Sequence, residues 1–180
     1  MDEALILRHA CLEDIPEIER VMRASIVGIS SRSYDWQQVE SSLKFVAHLD
    51  RDLVSDGTYF VVEEDGSIVG CGGWSARGRL YAGSGSATDD ARPLDPATEA
   101  ARIRAMFVLP RCERRGIGRR ILQACEEEAL AAGFHRTELM AMLSGHAMYR
   151  ANGYRDLEPV DAKLEDGTPF PLIRMEKRLD

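Results

Sequence analysis

One stretch constrains this chain more than any other: Val108-Leu109-Pro110-Arg111-Cys112-Glu113-Arg114-Arg115-Gly116-Ile117-Gly118-Arg119-Arg120-Ile121-Leu122. Before it, Ala100 to Leu109 reads as a strand that stops at Pro110. After it, Ile117, Ile121, Leu122, Cys125, Ala129 and Leu130 recur with a helical period as far as Ala132, and Gly133 supplies the stop. Gly116 and Gly118 therefore stand at a strand-to-helix junction, where backbone can come close to a ligand and the first helical turn offers unpaired N–H groups. Such a junction suits an anion, and phosphate in particular. Residues 111 to 120 hold five arginines against one glutamate, whereas a merely solvated helix start favours Asp or Glu in its first turn. The plainer alternative is a structural turn without a ligand.

The kind of phosphate is narrowed by what is missing. A nucleotide P-loop needs Lys and then Ser or Thr after its glycines, and Arg119-Arg120 stand there instead. A dinucleotide fingerprint needs three glycines after the first strand of a βαβ unit, and this turn comes late and has two.

Around the turn the pattern alternates. Leu5 to Leu7 is a short strand, Glu13 to Val27 is a helix with Pro16 in its first turn, and Val39, Leu43, Val46 and Leu49 mark a second helix. The Ser-rich link from Ser30 to Gln37 is either the mouth of a pocket or a plain helix–helix connection. Thr58–Glu63 and Ser67–Trp74 flank Asp65-Gly66 as a hairpin, the second strand carrying Gly70, Gly72 and Gly73 as signs of a bulge or of close backbone approach. Phe134–Met142 is a strand, Gly145–Ala151 a short helix, and two strands follow, from Tyr154 and from Pro169 to Glu176. The resulting order, β-α-α-β-β-β-α-β-α-β-β, implies a mixed α/β or α+β domain. An insert at about 78–98, rich in Gly, Ser, Ala and Asp, precedes the central strand.

With 180 residues, one domain is expected. A net charge of −7 opposes general nucleic-acid coating, and no apolar run reaches the roughly 20 residues of a membrane span. No secretory signal is visible, and Cys11, Cys71, Cys112 and Cys125 show neither metal-ligand spacing nor a disulfide framework, so a reducing, cytoplasmic setting without a metal is expected.

The motif Val108-Leu109-Pro110 followed by Glu113-Arg114-Arg115-Gly116-Ile117-Gly118 resembles the central motif of the GCN5-related N-acetyltransferase (GNAT) superfamily. Met148-Tyr149-Arg150-Ala151-Asn152-Gly153-Tyr154 resembles the family's later Ala-x-x-Tyr-x-x-x-Gly-Phe-like run. The likeness extends over most of residues 3 to 178. Glu113 departs from it, standing where the family has Gln or Arg, and so does the insert. The resemblance implies a central twisted mixed sheet flanked by helices, with the fourth and fifth strands splayed. It also implies acetyl-CoA in the cleft, its pantetheine arm along the backbone of Met106, Phe107 and Val108. Its pyrophosphate is then expected on the N–H groups of Arg114, Arg115, Gly116, Ile117, Gly118 and Arg119.

By the same resemblance, Tyr149 is the general acid for the leaving thiolate, and the Val108 N–H is the oxyanion donor. Glu138, on the fifth strand, is the expected base, ahead of Glu99, His135, His146 or a water chain. A phenol is protonated near neutrality and fits the acid's role. No cysteine has an activating neighbour in the sequence, so direct transfer to an amine is expected rather than an acetyl-cysteine. The different class of function is an acyl-CoA-binding sensor or interaction module without turnover. The acceptor is expected to be a small-molecule or peptide amine, and the acidic composition favours a cationic one, as polyamines, aminoglycosides, amino acids and protein N-termini all are. A sheet-edge homodimer is the expected form of association. The insert, with Gly78, Arg79, Tyr81, Gly83, Gly85, Asp89, Asp90, Arg92 and Asp95, is expected to cover the acceptor side.

Overall fold

A computed structural model of the chain describes residues 4–80 and 91–180. Seven strands form one mixed sheet in the order β1-β2-β3-β4-β5-β7-β6. They are β1 Ile6–His9, β2 Tyr59–Glu64, β3 Ser67–Ser75, β4 Ala101–Val108, β5 Arg136–Met142, β6 Arg155–Lys163 and β7 Pro169–Arg178. The helices are α1 Ile15–Gly28, α2 Trp36–Phe45, α3 Arg51–Ser55, α4 Ile117–Ala131 and α5 His146–Ala151. The order read from the sequence is recovered, with α3 as the one added helix.

Both faces of the sheet are covered. A Cβ at Gly70 would lie 2.5 Å from Ile117 Cγ2, so β3 presents bare backbone to α4 at this position and the helix packs directly on it. Val69 and Cys71, of opposite parity, are fully buried as well, under α1, which packs against β3 and β4. The second helix starts where its sequence says it should. Asp35 accepts a hydrogen bond from the Gln38 N–H (2.8 Å), Gln38 Oε1 accepts from the Asp35 N–H (2.9 Å), and this reciprocal cap fixes the first turn. Gln38 Nε2 then donates to the Pro169 carbonyl and ties α2 to β7.

The feature that makes a site is a parting of strands. β4 pairs with β3 along its length but meets β5, in parallel, only at Ala101–Thr137 and Arg102–Glu138. β5 stays paired with β7 from Arg136 to Met142. The register of β3 against β4 shifts between Cys71 and Gly73, and Ala105 has a left-handed backbone (φ 51°), as a bulge requires. The Tyr59 hydroxyl, fully buried, donates to the Ala105 carbonyl at 2.7 Å and holds the bulge. A bulge bends its strand, so β4 turns away from β5 and the two leave a V-shaped opening.

The insert has an ordered stem. Gly78 N–H donates to the Arg92 carbonyl, Leu94 N–H donates to the Ala76 carbonyl, and Arg77 bridges to Pro93. Tyr81, Gly83, Gly85, Asp89 and Asp90 lie outside the described residues. Among the described residues no helix is long and apolar enough to cross a membrane.

Candidate active site

A cavity of about 600 Å³ opens where β4 and β5 part. Met106, Phe107 and Val108 line it from β4, Arg114, Gly116, Ile117, Gly118 and Arg119 from the turn into α4, and Tyr149 from α5. Of the residues expected to hold the donor, Arg115 alone is absent from the lining.

The strand edge is free for a ligand. Leu109 N–H donates to the Val69 carbonyl on β3. Successive N–H groups of a strand point to alternate edges, so the Val108 N–H faces the side from which β5 has departed. The turn itself needs Gly116, whose φ of 78° lies in the left-handed region at the helix start. Gly118 is different. A Cβ there would meet only Met148 and Val108 at ordinary contact distances, so nothing in the protein demands a glycine. Its bare backbone leaves room in the cavity for something else.

The arginines divide by task. Arg111 (3.0 Å) and Arg115 (2.6 Å) both pair with Glu64, and Arg120 donates to the Leu5 carbonyl. The two guanidiniums hold the Glu64 carboxyl below its usual range. Arg32, following α1, takes Glu113 with two bonds of 3.0 and 2.8 Å, so the glutamate that departs from the family pattern is neutralised within the protein. Arg114 and Arg119 have no hydrogen bond or ion pair with another described residue, and both line the cavity. Two free guanidiniums beside a helix N-terminus form a strong anion site.

Tyr149 sits across the opening. Its ring packs edge-on to Tyr154, with centroids 5.7 Å apart, and passes Gly145, where a Cβ would stand 3.2 Å from Cε2. Its hydroxyl has no hydrogen-bond partner among the described residues, although the side chain is buried. Burial pushes its pKa above the ordinary tyrosine value.

Glu138, the expected base, is placed elsewhere. Its Oε2 accepts from Arg102 (2.9 Å) and twice from Arg174 (2.9 and 3.3 Å), and it is not among the lining residues. Both guanidiniums engage this one oxygen, and the carboxylate stands in an ion-pair cluster outside the cavity lining. Glu99 is held by Arg92, which with the Asp95 N–H lowers its pKa to about 2, and His146 pairs with Asp156. Neither lines the cavity, nor does His135.

The structure adds residues that no sequence motif marks. His48 and Asp50, between α2 and α3, line the far end of the cavity with Leu80, Arg104 and Ser30. Asp50 Oδ1 caps α3 by accepting from the Asp52 N–H (3.1 Å), while Oδ2 accepts from Arg79 (3.0 Å) and the buried Arg104 (3.4 Å). These groups come from separate elements, and no local motif joins them. Ser30 does fall in the link expected to shape a pocket mouth.

The sequence model of the acetyltransferase (GNAT) family matches residues 24–154. Similar solved structures include a GCN5-related N-acetyltransferase from Rhodopseudomonas palustris (17% identity, TM-score 0.72, 99% of each chain covered). They include the PaiA N-acetyltransferase of Thermoplasma acidophilum in complex with coenzyme A (16%, TM-score 0.64, 97% of this chain and 99% of that one). A ribosomal-protein-alanine N-acetyltransferase from Brucella melitensis is also similar (19%, TM-score 0.63, 97% and 99%). At these identities the likeness is one of fold. No curated protein sequence matches the chain.

Proposed function

The chain belongs to the acetyltransferase (GNAT) family, and from that premise we propose that it moves an acetyl group from acetyl-CoA to a primary amine by direct transfer in a ternary complex. One observation carries the reading. A strand edge, two guanidiniums at a helix start and a buried phenol, none of them partnered among the described residues, all open onto one cavity.

The residues present fit an acyl-CoA. The β4 edge at Met106 to Val108 suits the amides of a pantetheine arm, as an added strand would. The N–H groups from Arg114 to Arg119, with the Arg114 and Arg119 side chains, suit a pyrophosphate. Arg115 contributes backbone only, since its side chain belongs to Glu64. When bound, acetyl-CoA supplies a thioester, whose C–S bond breaks as the amine forms its C–N bond to the acetyl carbon.

The chain's own groups do the rest. The Val108 N–H donates to the developing oxyanion. Tyr149 holds a proton on its hydroxyl at neutral pH and delivers it to the departing sulfur; the proton that the attacking nitrogen sheds on becoming an amide restores the phenol. The burial that raises the phenol raises a thiolate formed beside it in the same direction, so the proton passes between groups of like charge type. The proton of the ammonium leaves to water through the mouth. Exposed His48 is the one imidazole among the described lining residues. Three of the four thiols are buried, and all four are free, which suits a reducing compartment such as the cytoplasm.

The test is to mix the protein with acetyl-CoA and a panel of amines, following free thiol and the mass of the acceptor. Amine-dependent thiol release with acetylated product is expected. Tight CoA binding without release for any amine would establish the non-catalytic sensor instead, and absence of CoA binding would remove both readings.

A further inference from the structure

Resting on the acetyl-transfer reading, we propose that the acceptor is a monoamine carried on an apolar body, aliphatic or aromatic, and not a polyamine, an aminoglycoside or an amino acid. Beyond the α4 turn and β4, the cavity is walled by Met22 of α1, Val46 after α2, and Leu164, Phe170 and Leu172 of the β6–β7 hairpin. These are carbon surfaces that favour an apolar body and give nothing to a hydrated charge.

Among the described residues, the chain's negative surplus adds little to this lining. The described lining holds two carboxylates, Asp50 and Glu113. Asp50 spends one oxygen on the α3 cap and the other on Arg79 and Arg104, and Glu113 is bound at both oxygens by Arg32. A second or third ammonium would enter without an unengaged carboxylate among the described lining residues to meet it, and an unpaired charge taken out of water is strongly disfavoured. The carboxylate of an amino acid fares no better. Buried Arg104 is committed to Asp50 and to the Arg79 carbonyl, and competing for it would take from Asp50 one of its two guanidinium partners. A single amine needs no such partner, because it reacts as the neutral base at the splayed strands and leaves as an amide.

The measurement is kcat/KM over the series propyl-, butyl- and hexylamine, with 2-phenylethylamine, spermidine and lysine beside them. Calorimetric titration of 2-phenylethylamine and spermidine into the protein without acetyl-CoA accompanies it. We expect about a fourfold rise per added methylene, 2-phenylethylamine at least tenfold above spermidine and lysine, and detectable binding of 2-phenylethylamine alone. Val46→Asp, at a half-buried position, should lower kcat/KM for 2-phenylethylamine at least tenfold and narrow its lead over spermidine, with CoA affinity unchanged. A flat series, or preference for spermidine or lysine, overturns the acceptor assignment and leaves acetyl transfer standing. If no amine is acetylated while 2-phenylethylamine still binds, acetyl transfer falls and the apolar site stands. Loss of both removes both.

Discussion

The two ends of the cavity are built on opposite plans. The donor end comes from one nearly continuous run, β4 through the first turn of α4, completed by α5, and it offers backbone edges and two guanidiniums without protein partners. The acceptor end is assembled from α1, the α2–α3 link, the stem of the insert and the β6–β7 hairpin, and its charges are already paired with one another. A ligand that never changes can be held by main chain and fixed charge. A ligand that sets specificity is held by side-chain walls drawn from dispersed segments, whose sequence can vary without disturbing the sheet.

The largest effect expected is at the boundary between the ends. Tyr149→Phe removes one hydroxyl that bonds no described residue, so stability and CoA affinity should be kept, while kcat falls by about 10- to 10³-fold. Because the proton goes to the donor's sulfur, the loss should be the same for every acceptor when chemistry is rate-limiting. A loss that varies with the amine, or stays within twofold, would return Tyr149 to packing and blur the division between the ends.

Gly118→Leu tests the donor end alone. Its Cβ has space in the free protein, so the fold should survive, but the side chain would stand where a pyrophosphate belongs. CoA affinity should fall at least tenfold, with calorimetric binding of 2-phenylethylamine unchanged. Unaltered CoA affinity would show that the turn binds no phosphate.

This division also explains what was legible beforehand. The α4 face, the stop at Gly133 and the strand–turn–helix around Gly116 are local patterns, and local patterns are what a sequence displays. Which of the arginines face the cavity is not local. Arg115 and Arg111 turn away because Glu64 waits on β2, and that follows only from how β2, β3 and β4 assemble. The place of Glu138 outside the cavity lining is no more local: strand pairing brings it beside Arg102, and Arg174 reaches it from the neighbouring strand. The five-residue α3 is too short to show a period, yet its cap is Asp50. Tyr59 looks like any strand tyrosine until the bulge at Ala105 places a carbonyl in its path.

Tyr59→Phe sharpens the comparison at the one feature both ends share. The Ala105 carbonyl would lose its buried donor, at a cost of about 1–3 kcal/mol, which lowers Tm by a few degrees in a chain of this size. Ala105 and its neighbours contribute to both ends, so CoA affinity and acceptor KM should each weaken a few-fold. A change confined to one end would mean that the bulge serves that end only.

The smallest effect concerns the acceptor wall. Tyr34 donates to the Pro171 carbonyl (2.8 Å), accepts from the Leu143 N–H (2.9 Å) and stacks on Phe170 (centroids 4.4 Å apart), so it fastens the segment between α1 and α2 to the hairpin. Burial pushes its pKa up to about 12. The folded protein therefore keeps this proton after the unfolded chain, titrating near 10, has begun to lose it. The stabilisation is complete below pH 10 and decays as pH rises towards 12. Tyr34→Phe should cost about 1 kcal/mol at pH 8. In urea titrations between pH 8 and 11.5 it should also decline less steeply than the parent, by a further margin of about 2 kcal/mol. CoA affinity at pH 8 should not move, since the hydrogen-bond and stacking partners of Tyr34, Pro171, Leu143 and Phe170, are not donor-end residues. Parallel pH curves for the two proteins would show that the phenol exchanges its proton as freely in the fold as outside it, and that this wall is more open than its hydrogen bonds imply.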